Sequence, residues 1–323
     1  MATLSDVAAH ARVSKATASR ALNRPDLVAP RTVERVRDAA EHLRFIPNRG
    51  AQHLARGRSG IVSLLVPTLH NAFFTPIIGG AQNRAAATDL HVTIAVHPLE
   101  DEAERVRFEQ LVAQVDGLIV VAPRGDDELV RRACALKPSV LVDREIEGIP
   151  SVSADTAAAF GSLVERLADA GHERVAFLNG PDKSWQNVQR SEAVLGAARA
   201  TGVEVDILGP SPALFTTGAA LADDVLATGA TVALPFASDL GLGLLFELIS
   251  RGRAHFGDQP RSDDAVEVVG VPGSLAVDVD GEALGAAAMD HLLALLGGSA
   301  PEPPERRLTV PVAEHWAGPR GRA

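Results

Sequence analysis

The stretch from Thr3 to Arg24, TLSDVAAHARVSKATASRALNR, limits most sharply what this chain can fold into. Leu4, Val7, Ala8 and Ala11 recur at helical spacing and bury one face of a first short helix. Arg12-Val13-Ser14 reads as a tight turn, with Ser14 a suitable N-cap for a second helix. Ala18, Ala21 and Leu22 give that helix its inner face. Its other face carries Lys15, Ala16, Thr17, Ser19, Arg20 and Asn23, short or basic groups able to meet phosphates and base edges. Such a helix is narrow enough to enter a major groove. The pattern predicts a helix-turn-helix with Lys15 to Asn23 as the recognition helix; two helices of an ordinary bundle are the competing reading.

Charge supports the first reading once it is divided along the chain. The net charge of −10 splits into +6 over residues 1–58 and −16 over the remainder. A basic head on an acidic body is the asymmetry of a DNA reader carrying a sensor. The 323 residues exceed one usual domain, so two or three compact units are expected. No apolar run approaches the roughly 18 residues of a membrane span, and no signal-peptide core is evident. A cytoplasmic protein without a membrane partner is expected. Cys134 is the single cysteine, which excludes an internal disulfide and a thiolate metal cluster. No metal site and no cofactor are expected.

A third helix is predicted from about Pro30 to Leu43, with Pro30 at N1 and Val33, Val36, Ala40 and Leu43 facing inward. After Phe45-Ile46-Pro47-Asn48 comes a polar, basic linker, RGAQHLARGR, with a single leucine. It is too short for a stable isolated helix in water. Contact with DNA and a partner chain could order it, coupling folding to binding.

In order and spacing, TLSDVAAHARVSKATASRALN, F-I-P-N and A-x-x-L-A-R-G-R-S resemble the head of the LacI/GalR family of bacterial transcription regulators. The resemblance implies DNA contacts from Thr3, Ser14, Lys15, Ala16, Thr17, Ser19, Arg20 and Asn23, and from Asn48, Ala51 and Leu54 in the linker. In that family two hinge helices of a dimer lie in the minor groove, and a leucine from each, Leu54 by position, wedges into a base step. Unstacking costs a few kcal/mol, which the contacts of the bent duplex offset. Two departures stand out. Arg12 occupies a turn position usually held by glycine, at a cost of roughly 1 kcal/mol if its backbone is left-handed. Ala29 replaces a serine cap before the third helix, weakening it by about as much.

From Gly60 onward, apolar runs alternate with amphipathic helices. Strands are predicted at Ile61–Val66, Val92–Val96, Gly117–Val121, Val140–Val142, Val175–Leu178, Val232–Leu234 and Val266–Val271. Helices are predicted near 76–88, 100–114, 126–136, 155–170, 186–201, 217–228, 239–252 and 282–296. Continuous Val/Ile/Leu runs between helices indicate parallel sheets covered on both faces. The expected fold is an all-α helix-turn-helix head (1–47), a hinge (48–58) and an α/β two-lobed body (59–323). Lobe 1 takes 59–154 and 278–304, and lobe 2 takes 155–277 and 305–313. The body resembles the family's sensor domain, which shares its fold with periplasmic sugar-binding proteins. The supporting segments are Val66-Pro67, Asn71-Ala72-Phe73-Phe74, Val115 to Ile119, Val142-Asp143-Arg144, Ala170-Gly171-His172, Gly180-Pro181 and Val269-Gly270.

That resemblance implies an effector site in the cleft. Phe73, Phe74 and Phe215 match family aromatics, Asp143 a carboxylate that accepts from hydroxyls, and Arg190 a rigid donor fork. Ser238-Asp239 stands for an Asn-Asp pair, and Trp185 is a further candidate. Each has a structural alternative: core packing for Phe73 and Phe74, a surface ion pair for Arg190, a helix cap for Asp239. After Val269-Gly270 the sequence departs, because Val271-Pro272-Gly273-Ser274 runs almost directly into the last helix. A sugar-binding carboxylate is thereby lost at Pro272, and a buried sugar hydroxyl without a partner costs roughly 1–3 kcal/mol. A sugar-like effector, a different ligand, weak binding and no effector all stay open. Residues 314–323 lack leucine heptads, so a dimer through the body is the family expectation rather than a coiled-coil tetramer.

The function implied is a dimeric, sequence-specific regulator, most often a repressor in this family, on a nearly palindromic double-stranded operator. A solute-binding receptor is the rival from another class, but it predicts an export signal and no basic head. No Gly-x-Ser-x-Gly elbow, P-loop or metal-ligand spacing supports an enzyme.

Overall fold

The computed structural model describes residues 2–45, 58–254, 264–271 and 273–314. The chain divides into two compact units, Met1–Ser59 and Gly60–Ala323.

In the first unit, α1 spans Leu4–His10, α2 Lys15–Asn23 and α3 Pro30–His42. Each start has its own cause. Thr3 and Asp6 form a reciprocal capping box at α1, and the Ser14 hydroxyl accepts from the Thr17 amide at 3.0 Å at α2. Ala29 makes no side-chain cap at α3, leaving Pro30 at N1 as the local start signal. Arg12 has φ of +53°, so the left-handed turn is present and filled by a non-glycine residue. The core is small and largely alanine: Val7, Ala8, Ala11, Ala18, Ala21, Val33, Val36 and Ala39. On α3 the buried position is Ala39, whereas Ala40 packs half-buried beside it. The hinge residues Asn48, Ala51 and Leu54 lie outside the described residues.

In the second unit, the strands of the first sheet are β1 Ile61–Val66, β2 His91–Val96, β3 Gly117–Val121, β4 Ser139–Val142, β5 Ser151–Ala154 and β11 Glu305–Leu308. Their order is β11-β5-β4-β3-β1-β2, and every pairing is parallel. Alternation along β1 sends Val62, Leu64 and Val66 to one core and Leu65 to the other. Both faces of the sheet are therefore covered, and each buried side chain contributes about 1.5–3 kcal/mol. The second sheet contains β6 Arg174–Leu178, β7 Glu204–Leu208, β8 Val232–Pro235 and β9 Glu267–Val268, in the order β7-β6-β8-β9. A short antiparallel pair joins β10 Leu275–Val277 to β12 Val312–Glu314.

The helices of this unit are α4 Phe74–Ala85, α5 Glu102–Val112, α6 Asp127–Cys134, α7 Thr156–Asp169 and α8 Trp185–Thr201. They continue with α9 Phe215–Ala220, α10 Ala222–Thr228, α11 Ser238–Ser250 and α12 Gly281–Leu296. Two helix pairs pack backbone to backbone. A Cβ placed on Gly285 of α12 would lie 2.0 Å from the Ile77 carbonyl of α4, and one on Gly243 of α11 would lie 1.9 Å from the Phe215 carbonyl of α9. Only glycine admits such an approach.

Several sequence expectations need correction. Strand β11 joins the first sheet beside β5, so 305–308 belongs with lobe 1 and not with the lobe 2 segment 305–313. The strand expected over Val266–Val271 is paired only at Glu267–Val268, because Gly270 turns at φ +76° and its amide donates to the Leu275 carbonyl. The helix expected over 217–228 is two helices meeting at Leu221. Strands β5, β7, β10, β11 and β12 have no counterpart among the expected strands. Among the described residues no helix is long and apolar enough to cross a membrane, and no cluster of three metal-ligating side chains occurs. Cys134 is buried, and desolvation pushes its thiol pKa up to about 12.

Candidate DNA-reading helix and effector cavity

On the head, Ser14, Lys15, Ala16 and Arg20 are exposed, while Thr17 and Ser19 are half-buried. Thr17 shares its hydroxyl with Ser14 at 2.8 Å, and Thr3 is committed to its capping box. Those bonds fix helix starts and leave both side chains at the surface edge. Arg12, Lys15, Arg20, Arg24, Arg31, Arg35 and Arg37 are all exposed, and none forms an ion pair among the described residues. In the body, by contrast, Arg84, Arg105, Arg132, Arg174, Arg251 and Arg307 all pair with carboxylates. Cationic side chains that form no ion pair among the described residues can neutralise phosphates.

In the body, a cavity of about 690 Å³ opens where both parallel sheets end. Pro67, Ala122, Asp143, Pro181, Pro210, Phe236 and Gly270 each follow a strand and line it, as the strand-end rule for open α/β sheets requires. Six of the residues singled out from sequence line it too: Phe73, Phe74, Asp143, Arg190, Ser238 and Asp239. Phe73 and Phe74 meet edge to face at 5.7 Å between centroids, with Phe74 buried in the core and Phe73 half-buried. Ser238 and Asp239 begin α11, which has no side-chain cap, so Asp239 is not capping that helix.

Two candidates fall elsewhere. Phe215 is 45% exposed and packs on Phe246 of α11 at 5.7 Å, while Ala213 and Leu214, the residues just before it, line the cavity. Entry into α9 at Phe215 turns its ring away. Trp185 opens α8 and lines a small separate hollow with Glu145 and Arg307.

A buried polar chain fixes the cavity floor. Asp143 follows β4 with φ +53°, and its Oδ1 accepts from the Ala154 amide at 3.2 Å and from Gln186 Nε2 at 3.1 Å. Thr156 Oγ1 donates to Gln186 Oε1 at 2.9 Å and accepts from Arg190 Nε at 2.9 Å. Arg190 Nη1 donates to the Phe236 carbonyl at 2.8 Å, and its guanidinium lies 4.9 Å from the Phe160 ring centre and 4.5 Å from that of Phe236. Phe236 is itself seated on Gly180, where a Cβ would lie 2.5 Å from the ring. Burial raises the Asp143 carboxyl pKa above its ordinary range, against the pull of the Ala154 amide, Arg190 and Gln186. Burial likewise lowers Arg190 to about 10, against the attraction of Asp143.

Thr156, Phe160, Gln186 and Phe236 escaped the sequence reading. Gln186 sits four residues before Arg190 and so shares its helix face. Phe236 follows β8, where the strand-end rule points. Those two signals were available; the Thr156 and Phe160 contacts depend on how α7 packs on α8. Around the departure at Pro272, itself outside the described residues, the cavity wall is Gly270, Ala276, Val277 and Val279. No side chain there offers a donor or acceptor.

Residues 3–48 match the family described as bacterial regulatory proteins, lacI family, and residues 59–235 match the periplasmic binding proteins and sugar binding domain of the LacI family. The HTH-type transcriptional repressor CytR of Escherichia coli K12 is 30% identical over 210 residues, covering 64% of this chain and 61% of that repressor. The chain therefore aligns with about three fifths of the length of that relative. Catabolite control protein A of Staphylococcus xylosus is 30% identical over 182 residues, 55% of each chain. Among solved structures, a Lac repressor dimer bound to operator and the anti-inducer ONPF superposes with a TM-score of 0.82 at 25% identity, covering 96% of this chain and 97% of that one. A CelR–cellobiose complex gives 0.67 at 25% identity, covering 97% and 98%. Head and body together therefore place this chain in the LacI family of bacterial DNA-binding transcription regulators.

Proposed function

We propose that the protein is a dimeric, sequence-specific repressor that binds a nearly palindromic operator and answers to a small molecule held in the body's cavity. The observation that carries this reading is the capped recognition helix with Lys15, Ala16 and Arg20 exposed beside arginines that form no ion pair among the described residues. Lys15 and Ala16 choose bases, while Ser14, Thr17, Ser19, Arg20 and Asn23 hold phosphates or base edges. The hinge residues Asn48, Ala51 and Leu54 complete the contact from the minor groove. Two heads related by a dyad imply two half-sites of matching symmetry.

In the body, Asp143, Gln186 and Arg190 hold the polar end of the effector, with Phe73 beside it. Asp143 belongs to the first sheet, and Arg190 to a helix on the second. A ligand touching both biases the angle between the sheets, and with it the way two heads meet DNA. By linkage, operator and effector then change each other's affinity by one common factor. The test is genome-wide capture of bound DNA with the full chain and with Lys15→Ala. Recovery of one symmetric motif that the variant loses or reads less strictly is the expected result; enrichment without a shared motif overturns the reading.

A further inference from the structure

Two helices of the head end alike, and both place an arginine where a side chain is strained. After α1, the Val13 amide donates to the Ala8 carbonyl at 2.9 Å and the Arg12 amide to the Ala9 carbonyl at 3.1 Å. After α3, the Phe45 amide donates to the Ala40 carbonyl at 2.8 Å and the Arg44 amide to the Glu41 carbonyl at 2.9 Å. Such a nested pair of bonds is the Schellman motif, which requires a left-handed residue just past the helix cap and is often completed by an apolar residue after it. Val13 and Phe45 fill the apolar position and pack on the head's core. The left-handed positions hold Arg12, at φ +53°, and Arg44, at φ +47°.

The same pair of bonds closes α7, α11 and α12 in the body, and there the left-handed residue is glycine each time: Gly171, Gly252 and Gly298. The body's non-glycine residues with positive φ, Leu99, Ala122, Asp143 and Lys183, end no helix. Glycine enters this region freely, whereas a side chain meets a steric cost. Strain of this kind collects where a side chain has work that glycine cannot do. Arg12 and Arg44 are both exposed, and neither forms an ion pair among the described residues. Arg12 stands two residues before Ser14, the N-cap of the recognition helix, so it flanks the helix end that meets the groove. Phosphates line the groove's rims, within reach of cations beside that end. Arg44 stands where the chain leaves α3 toward Asn48.

We propose that Arg12 and Arg44 are DNA phosphate contacts, cations fixed at strained helix ends at a cost to the stability of the head. This rests on the reading of the head as a DNA reader and adds two backbone contacts per head to it.

The test reads salt dependence and stability on the same variants. The full chain, Arg12→Gly and Arg44→Gly are titrated over graded salt with a mixed-sequence duplex and with a symmetric duplex taken from the captured sites. A phosphate contact is blind to sequence. Each variant should therefore weaken both duplexes by a common factor of about tenfold, and lower the slope of log affinity against log salt by about one for each head bound. Each should also raise the thermal midpoint of the head, because the left-handed strain is relieved. Arg12→Lys and Arg44→Lys keep the charge and should retain the slope. Arg131→Gln, which removes one positive charge from the body, should leave slope and affinity unchanged. An unchanged slope with Arg12→Gly or Arg44→Gly overturns the assignment of that residue. A lower midpoint with no loss of affinity also overturns it, since the guanidinium would then serve the negative end of its own helix. Preference for the symmetric duplex is read from the same titrations. Its absence, with reduced slopes in the variants, sinks the sequence-specific reading alone; its presence, with slopes intact, sinks this one alone. A parent chain that binds neither duplex sinks both.

Discussion

Thr156→Val tests the buried polar chain with almost no change of shape. The hydroxyl of Thr156 is fully buried; it accepts from Arg190 Nε and donates to Gln186 Oε1, both at 2.9 Å. Valine fills the same volume, so no cavity term enters. A hydrogen bond to a charged group contributes about 1.5–3 kcal/mol, and the stranded Gln186 oxygen adds about 1–3 kcal/mol of desolvation cost. Allowing for relaxation, about 3–5 kcal/mol is expected. For a body of this size that corresponds to roughly 6–20 °C in the unfolding midpoint. The assay is urea and thermal denaturation of the full chain, followed by far-UV circular dichroism and tryptophan fluorescence. Thr201→Val is the control, because its hydroxyl bonds only helix carbonyls at an exposed site; it should stay within about 0.5 kcal/mol of the parent. A Thr156→Val loss below about 1 kcal/mol would show that the chain of bonds is not holding Arg190 in place.

Three further outcomes follow from named contacts. Burial raises the folded-state pKa of Asp143, so its ionisation disfavours the folded state from about pH 4 upward through that raised value. The stability of Asp143→Asn relative to the parent should therefore increase between pH 4 and pH 7 in urea titrations; a constant difference contradicts the assignment. Arg12→Gly relieves a left-handed backbone at φ +53° and should stabilise the head by about 1 kcal/mol, read from its thermal midpoint. Gly285→Ala places a methyl 2.0 Å from the Ile77 carbonyl and should cost about 1–3 kcal/mol or more, seen as a lower urea midpoint with an unchanged slope.

How much was legible in the sequence varied with the strength of local periodicity. The recognition helix Lys15–Asn23 was readable to the residue, because Ser14 caps it and Ala18 and Ala21 mark its buried face. Strands Ile61–Val66 and Gly117–Val121 were equally plain, being continuous apolar runs in the middle of a sheet covered on both faces. Strand Glu305–Leu308 was not, because an edge strand of sequence ERRL carries charge on most of its length and is recognised only by its partner. Ser151–Ala154 hid for a related reason, since two serines interrupt any apolar run although all four residues are buried.

In the cavity, Asp143 and Arg190 were legible through the family resemblance, with the strand-end rule pointing to the same place as Asp143. Phe215 misled, because the chain enters its helix there and presents Leu214 instead. Gln186 and Phe236 illustrate the converse. Neither residue type announces a site; only position marks them, Gln186 on the helix face of Arg190 and Phe236 at a strand end, and their roles follow from Arg190 lying against one and bonded through Thr156 to the other.

Most directly, the account is tested by equilibrium binding of the full chain to a symmetric duplex taken from its captured sites and to a shuffled duplex of equal length, over graded salt. Two chains per symmetric duplex, an affinity that falls steeply and linearly on logarithmic axes, and at least about a thousandfold preference over the shuffled sequence are predicted. Equal affinity for both duplexes, or retention that does not change with salt, contradicts it.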